Sequence, residues 1–206
     1  MSSSSFPDLA GPDVVADTSV LINLDASGHA GAIIRATSGI LLTTTNAFEE
    51  LLQGERHGYS TAMELRTLQS EGVLRVVTLG SAEEEVYRRL IEGPAAQTLG
   101  DGEAATIAYA VQNKAVALID EKKAKRICSE RFGGIQVTTT TDVMLHSRAI
   151  QALGSSHVEA MHAALKDARM HVPPEHVDDV VRLLGKCRSL DCPSLPPKSI
   201  ASVFAD

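Results

Sequence analysis

Short apolar runs alternate with amphipathic segments over the first two-thirds of the chain. Runs rich in aliphatic and β-branched residues predict five strands, over residues 14–16, 40–45, 73–79, 115–119 and 135–139. Between them apolar residues recur at helical spacing, as in EAATIAYAVQN, where Ala104, Ile107, Ala108 and Val111 share one side of a helix. This alternation predicts an α/β fold with a mostly parallel central sheet flanked by helices.

Capping signals indicate where several of these helices begin. Thr18 or Ser19 is expected to cap the helix that contains VLINL. A polar residue followed three positions later by Glu predicts further helix starts at Asn46, Ser81 and Ser156. Shorter apolar patterns predict helices over residues 32–36 and 59–70, and a basic helix over 122–131.

The pattern changes after about residue 142, where helices continue without strands. Helices are predicted around 158–170 and 176–188, followed by a Pro-rich end that is expected to be extended. The chain is therefore divided into a disordered leader over residues 1–12, an α/β domain over 13–145, and a helical extension with a Pro-rich tail over 146–206. The extension carries apolar stripes, which either pack on the same domain or form a homodimer surface.

Composition and charge narrow the function. The net charge of −7 is opposite to that of a protein that binds RNA through its global field, so any RNA-binding charge must be local. The three cysteines, an odd number without a CxxC pair, argue against a disulfide framework or zinc knuckle and favour reduced thiols in the cytoplasm. No apolar run approaches the length of about 20 residues that a membrane helix needs, so no membrane association is expected.

Acidic residues stand at four points where chemistry is expected. Asp17 and Asp120 each follow a predicted strand, and the carboxyl ends of parallel strands meet at one edge of a sheet. Glu50 and Glu103 lie on the helices that contain AFEELL and GEAATIAYA. Carboxylates brought together repel one another, and hard cations such as Mg²⁺ or Mn²⁺ relieve that repulsion. Acids that met at that edge would therefore suit a Mg²⁺ or Mn²⁺ ion.

Four segments, VVADTSVLINL, TTTNAFEELL, GDGEAATIAYA and ALIDEKKAKRIC, occur in the order and spacing of a known family. Together they resemble the PIN domain family, especially bacterial members with a GEA motif, over roughly residues 13–145. The resemblance implies a three-layer α/β/α fold and a ribonuclease that uses Mg²⁺ or Mn²⁺. It also implies cleavage that leaves a 5′-phosphate and a 3′-hydroxyl.

The resemblance carries roles onto individual residues of this chain. It implies four catalytic acids, namely Asp17, Glu50, Glu103 and Asp120. Asp17, Glu103 and Asp120 are the expected metal ligands, and Glu121 remains an alternative to Asp120 as the fourth acid. Other residues have auxiliary roles in this scheme, either as further acids or as hydroxyl groups near the site: Asp101, Glu121, Ser19 and Thr140.

A basic stretch follows the fourth acid directly. Its side chains either hold the RNA backbone or form a solvated helix face, and they are Lys122, Lys123, Lys125 and Arg126. The expected substrate is thus RNA, bound by local positive charge in an otherwise acidic protein.

Rival functions are weaker on the same residues. A phosphatase of the aspartate type would carry a second Asp two residues after Asp17, where this chain has Ser19. A receiver domain would be about half this length and would not account for Glu50 and Glu103. Within the PIN reading, three roles stay open: the toxin of a toxin–antitoxin pair with an antitoxin partner, an RNA-processing nuclease, and a catalytically idle binding scaffold.

Overall fold

Five parallel strands form the central sheet of the described part of the chain, which comprises residues 9, 11–56 and 63–205 of a computed structural model. The strands are β1 (Val14–Ala16), β2 (Leu41–Thr44), β3 (Leu74–Val77), β4 (Val116–Leu118) and β5 (Val137–Thr138). Their order across the sheet is β3-β2-β1-β4-β5, so β1 lies at the centre, between β2 and β4. This confirms the predicted parallel α/β architecture.

Helices cover the sheet, and turns and loops connect these elements. They are α1 (Thr18–Ala26), α2 (Ala30–Thr37), α3 (Thr45–Arg56), α4 (Met63–Ser70), α5 (Ser81–Ile91), α6 (Asp101–Asn113), α7 (Lys122–Arg131), α8 (Thr140–Leu145), α9 (Ser147–Leu153), α10 (His157–Asp167), α11 (Val177–Leu190) and α12 (Pro197–Val203). Two short 3₁₀ helices lie at Gly154–Ser156 and Pro174–His176. Residues 59–62 of the predicted helix and most of the predicted leader lie outside the described residues.

Two hydrophobic cores give the fold its three layers. Successive side chains of a strand point to opposite faces, and all three residues of β1 are buried. Val14 and Ala16 belong to a core shared with α1, α2, α10 and α11, whereas Val15 belongs to a core shared with α5, α6 and α7. A strand buried on both faces explains why β1 is apolar throughout rather than alternating.

The predicted helix caps were mostly wrong by one or two residues. Asp17, rather than Thr18 or Ser19, caps α1, because its carboxylate lies one residue earlier and accepts the Val20 N–H at 2.9 Å. Before α3 the Thr44 hydroxyl accepts the Ala47 N–H at 3.3 Å, so Asn46 lies inside the helix.

The other two predicted caps differ from the structure in a similar way. Gly80 is the cap residue of α5, which places Ser81 in the first turn without a side-chain capping bond. Ser156 does precede α10, as predicted, but its hydroxyl makes no capping hydrogen bond.

The helices after residue 145 pack on the same sheet face as α1. Their apolar stripes enter the first core, with Met161, Val180, Val181 and Leu184 all buried. The Pro-rich end was predicted to be extended, but the helix α12 forms there. Pro197 lies in its first turn, where the missing N–H costs nothing. The buried side chain of Ile200 anchors α12 to the same core.

Other expectations concern cysteines and membranes. Cys128, Cys187 and Cys192 are free thiols. Within the described ranges, none of the helices combines the length and apolar character required to cross a bilayer.

Candidate active site

Asp17 lies at the carboxyl end of the central strand and is almost fully buried, with 1% of its surface exposed. Its Oδ1 accepts the Val20 N–H at 2.9 Å, which is the cap of α1. The Ser19 hydroxyl donates to the same carboxylate, at 2.9 Å to Oδ1 and 3.2 Å to Oδ2. The strand-to-helix turn thus fixes Asp17, and the predicted hydroxyl role of Ser19 corresponds to a direct contact with it.

Asp120 follows β4, the strand paired with β1, and is buried as deeply, with 4% exposed. Thr140 donates twice to it, through its backbone N–H to Oδ1 at 2.8 Å and through its hydroxyl to Oδ2 at 2.6 Å. Asn23 of α1 donates its side-chain amide to Oδ2 at 2.6 Å. Three elements, β4, α8 and α1, therefore hold this carboxylate in one orientation.

Burial disfavours the charged form of both aspartates. It raises the pKa of Asp17 to about 7, and the negative charges of Asp120 and, less strongly, Glu50 add to the shift against the hydrogen bonds from Val20 and Ser19. Burial also raises the pKa of Asp120, against the hydrogen bonds from Thr140 and Asn23. A cation between these carboxylates would remove the penalty for charging them.

Glu103 and Glu121 face each other at the mouth of the site. Burial and, after it, the neighbouring Glu121 carboxyl together raise the pKa of Glu103 to about 8. A cation beside these two carboxyl groups would remove the penalty for charging Glu103. The Gly100 N–H donates to Glu103 Oε2 at 3.2 Å and anchors that side chain to the start of α6.

Glu50 reaches the site from α3 through Thr18. The Thr18 hydroxyl is within hydrogen-bonding distance of Glu50 Oε2, at 2.8 Å, and of the Ala47 carbonyl, at 3.1 Å. Gly102 makes the close approach of α6 possible, because a Cβ there would lie 2.6 Å from Thr18 Oγ1 and 2.7 Å from Glu50 Oε2. The GDGE segment therefore needs its second glycine for space next to two polar side chains.

These side chains open onto one cleft of about 330 Å³. It is lined by Asp17, Thr18, Ser19, Glu50, Gly100, Gly102, Glu103, Glu121 and Lys123. Asp120 lines the adjoining cavity, which shares Ser19 and Glu121 with this cleft. The structure thus brings the four predicted catalytic acids into one neighbourhood and adds Glu121 to them, so that Asp120 and Glu121 occupy different parts of the same site.

The donor set suits a hard divalent cation with an open coordination sphere. All the candidate ligands are carboxylate oxygens, which Mg²⁺ and Mn²⁺ prefer. Among the described residues, no three or more Asp, Glu, His or Cys side chains are already arranged to hold an ion by themselves. Mg²⁺ is usually bound in this way, by one or two carboxylates, several waters and the substrate phosphate, rather than by a complete protein cage.

Two residues that were predicted to take part in the site, Asp101 and Arg126, do not line the acidic cleft. The Asp101 carboxylate accepts hydrogen bonds from the Tyr87 hydroxyl and, at 3.2 Å, from the Asn46 amide, and it does not line the cleft. Arg126 is bound to the Glu130 carboxylate at 2.8 Å and to the Ala96 carbonyl at 3.2 Å. Asp101 therefore ties α6 to α3 and α5, and Arg126 lies apart from the acids.

The lysines of α7 divide between the two openings. Lys123 lines the acidic cleft, and Lys122 lines the adjoining cavity. His171 lines that cavity, and its pKa is lowered by burial and also by the positive charges of Lys122 and Lys125. The structure thus places Lys122 and Lys123 beside the acids and Lys125 near His171, in contrast to Arg126.

Sequence reasoning missed three residues that organise the site, namely Asn23, Thr18 and Gly102. A signal existed for Asn23, since an amide within the apolar run VLINL needs a buried partner. Thr18 was considered only as a cap, and Gly102 only as part of a loop. Their partners, Asp120 and Glu50, lie far away in sequence, so local patterns could not identify these contacts.

Comparison with known proteins adds one positive finding. A family model described as a PIN domain matches residues 13–186, which includes the five strands and the helices through most of α11. No curated protein and no solved structure matches the chain.

Proposed function

The chain belongs to the PIN domain family, whose members are generally nucleases, and on that premise we propose that it is a metal-dependent endoribonuclease. One observation carries the proposal: two buried carboxylates, Asp17 and Asp120, stand at the ends of paired parallel strands beside a cleft that Glu50, Glu103 and Glu121 also reach. Burial of acids without a cation is unfavourable, so such a group is typical of a site for metal and phosphate.

The protein side chains have separable roles in this proposal. Asp17 and Asp120 would hold the ion in a fixed place, because hydrogen bonds from Ser19, Thr140 and Asn23 set the direction of their carboxylates. Bound Mg²⁺ or Mn²⁺ would lower the pKa of a water and neutralise charge on the phosphate.

The glutamates complete the site from the other side of the cleft. Glu103, whose pKa is raised to about 8, would lose any bound proton to become a third ligand beside Asp17 and Asp120. Glu50, held by Thr18, lies where it can orient or deprotonate the attacking water.

Local positive charge supports RNA as the substrate. The chain has a net charge of −7, so a phosphate backbone is attracted only where cations gather. Lys123 lies in the cleft with the acids, and Lys122 lies in the adjoining cavity. The two lysines would hold the backbone on either side of the bond that is cut.

The biological role that we favour is that of a toxin in a toxin–antitoxin pair, with an antitoxin protein as partner. It rests on the resemblance to single-domain bacterial PIN proteins, many of which have that role. The filled acidic positions favour this role over an idle scaffold, whereas the helical extension is a departure from compact toxins and suits an RNA-processing nuclease as well. A small neighbouring gene for a DNA-binding protein would distinguish the toxin role from the processing role.

The direct test is cleavage of single-stranded RNA by the purified full-length protein. We expect cleavage with Mn²⁺ or Mg²⁺, loss of cleavage in EDTA, its recovery when metal is restored, and products with 5′-phosphates. An Asp17→Asn protein purified in parallel controls for contaminating ribonuclease. Undiminished cleavage in EDTA, or equal cleavage by both proteins, would overturn the proposal.

A further inference from the structure

A second cavity, of about 490 Å³, adjoins the acidic cleft. Its lining combines the edge of the acid site with the segment between α10 and the 3₁₀ helix at Pro174–His176, and the residues are Ser19, Asn23, Asp120, Glu121, Lys122, Ala168, Arg169, Met170 and His171. Ser19 and Glu121 line both spaces, so a chain bound in the cleft continues directly into the cavity. Its volume lies in the range of small-ligand sites.

The helical extension builds the far wall of this cavity and fixes it firmly. Met170 is buried, and its N–H donates to the Ala164 carbonyl at 3.1 Å. The Thr141 hydroxyl donates to the His171 carbonyl at 3.2 Å, one residue after the Thr140 that holds Asp120. Arg169 has a φ of +55°, a conformation rarely adopted by a non-glycine residue, and this turn directs the segment along the cavity.

Cations that form no ion pair lie around the cavity, beside the Asp120 and Glu121 carboxylates that also line it. Lys122 and Arg169 are exposed, and within the described ranges neither they nor Lys125 forms an ion pair. Burial lowers the pKa of His171, and the charges of Lys122 and Lys125 lower it further, which places both lysines near that ring. Arg182, on the same extension, is instead paired with two aspartates. Unpaired cations beside an acidic metal site suit a phosphate.

We propose that this cavity is an RNA subsite, in which Arg169 and Lys122 bind a phosphate next to the scissile one and the cavity accepts the attached nucleoside. The proposal rests on the proposed nuclease function and assigns a substrate-binding role to the helical extension. Ala168 and Met170 give the cavity apolar surface for a base or ribose, and the cations at its edge hold the backbone. Arg169, Ala168 and Met170 come from a part of the chain that lacks any of the predicted catalytic acids, whereas Lys122 begins α7 close to Asp120.

Binding of RNA in the absence of cleavage tests the subsite. Fluorescence anisotropy would measure the affinity of the full chain for a labelled single-stranded RNA in EDTA over a series of salt concentrations. Arg169→Gln should weaken binding about tenfold at low salt, since a hydrogen bond to a charged group is lost. It should also reduce the slope of log K against log salt by about 0.7, the value for one phosphate contact on a single strand.

Controls separate a local charge effect from a structural one. Arg182→Gln removes a cation of the same extension outside the cavity and should leave affinity and slope unchanged. Arg169→Lys should restore most of the salt slope. Equal weakening by Arg169→Gln and Arg182→Gln, or an unchanged slope in Arg169→Gln, would overturn the subsite, as would failure of the wild-type chain to bind RNA.

A comparison of two substrates distinguishes the subsite from the proposed function. With Mn²⁺, Arg169→Gln should raise KM for RNA and leave the hydrolysis of bis(p-nitrophenyl) phosphate unchanged, because that diester is too small to occupy both spaces. An equal loss on both substrates would contradict a subsite role. If the wild-type chain hydrolyses neither substrate but the salt slope still depends on Arg169, the nuclease proposal fails and the RNA-binding subsite stands.

Discussion

The buried aspartates and the more accessible glutamates form two different halves of the candidate site. Asp17 and Asp120 are 1% and 4% exposed, and hydrogen bonds from several neighbours fix their carboxylates. Glu50 and Glu103 project from helices on longer side chains, and one hydrogen bond from a neighbour restrains each of them. The aspartates therefore define where an ion sits, whereas the glutamates can adjust to it and to the substrate.

In both halves of the site the charged form of the carboxyl groups is unfavourable without a cation. Fixed donors stabilise the charged form of Asp17 and Asp120 but do not offset burial, so both pKa values are raised. The pKa of Glu103 is raised as well, to about 8, by burial and by the neighbouring Glu121 carboxyl. The site without metal is thus partly protonated near neutral pH, and metal binding should release protons.

Removing a fixed carboxylate should have the largest effect. Asp17→Asn keeps the size and the acceptor for Val20 but removes one charge, and RNA cleavage should fall at least 100-fold, because even outer-shell changes at metal sites cost about 10–100-fold. Glu50→Gln should cost less, since its side chain can be replaced by water or a neighbour. Initial rates at saturating Mn²⁺ measure both.

The matched control for that comparison is Asp101→Asn. Its carboxylate contacts Tyr87 and Asn46 outside the cleft, so activity should stay close to that of the wild type. Full activity in Asp17→Asn, or an equal loss in Asp101→Asn, would contradict the division between ligands and supporting acids.

Loosening a fixed carboxylate, rather than removing it, should have an intermediate effect. Thr140→Val deletes the hydroxyl that donates to Asp120 at 2.6 Å but keeps the backbone donor. We expect metal affinity and cleavage to fall about tenfold, the lower end of the range for outer-shell changes. Titration of cleavage rate against Mn²⁺ concentration gives the apparent affinity.

Thr37→Val serves as the control for Thr140→Val. It removes an equally buried hydroxyl, which donates to the Ile33 carbonyl within α2, away from the acids. Both variants should lose comparable stability, but only Thr140→Val should need more Mn²⁺. A shifted Mn²⁺ requirement in both variants would mean that general destabilisation, and not the orientation of Asp120, explains the effect.

The smallest effect concerns stability without metal. The pKa of Asp17 is raised from 3.8 to about 7, so the folded protein keeps a proton that the unfolded chain releases. The contribution of this group is therefore most favourable below about pH 4 and is lost as the pH rises towards 7. Asp17→Asn escapes that loss, so in EDTA its melting temperature relative to the wild type should rise between pH 5 and pH 8.

Calorimetry in EDTA and in Mn²⁺ would test this pH dependence. The shift should amount to a few degrees, since about 1 kcal/mol corresponds to about 2–4 °C in a chain of this size. With saturating Mn²⁺ the order should reverse, because the wild type then gains metal binding that the variant lacks. A melting-temperature difference in EDTA that does not change with pH would contradict the raised pKa of Asp17.

The sequence by itself determined the parts of this protein that depend on neighbouring residues. Apolar runs bounded by turns predicted all five strands, with ends that differ from the observed ones by a few residues. The alternation of strands and helices predicted that the strands would be mostly parallel. It also indicated that Asp17 and Asp120 would share one edge, because residues that follow adjacent parallel strands must lie there.

The tertiary structure alone decided which side chains meet across that edge. Asn23 binds Asp120, 97 residues later, and Glu103 and Glu121 line the same cleft. The wall that carries Arg169 comes from a helical extension whose residues looked unrelated to the acids. Local propensity acts over a few residues, whereas these contacts depend on how the helices pack against the sheet, so periodicity could predict the elements but not their meeting points.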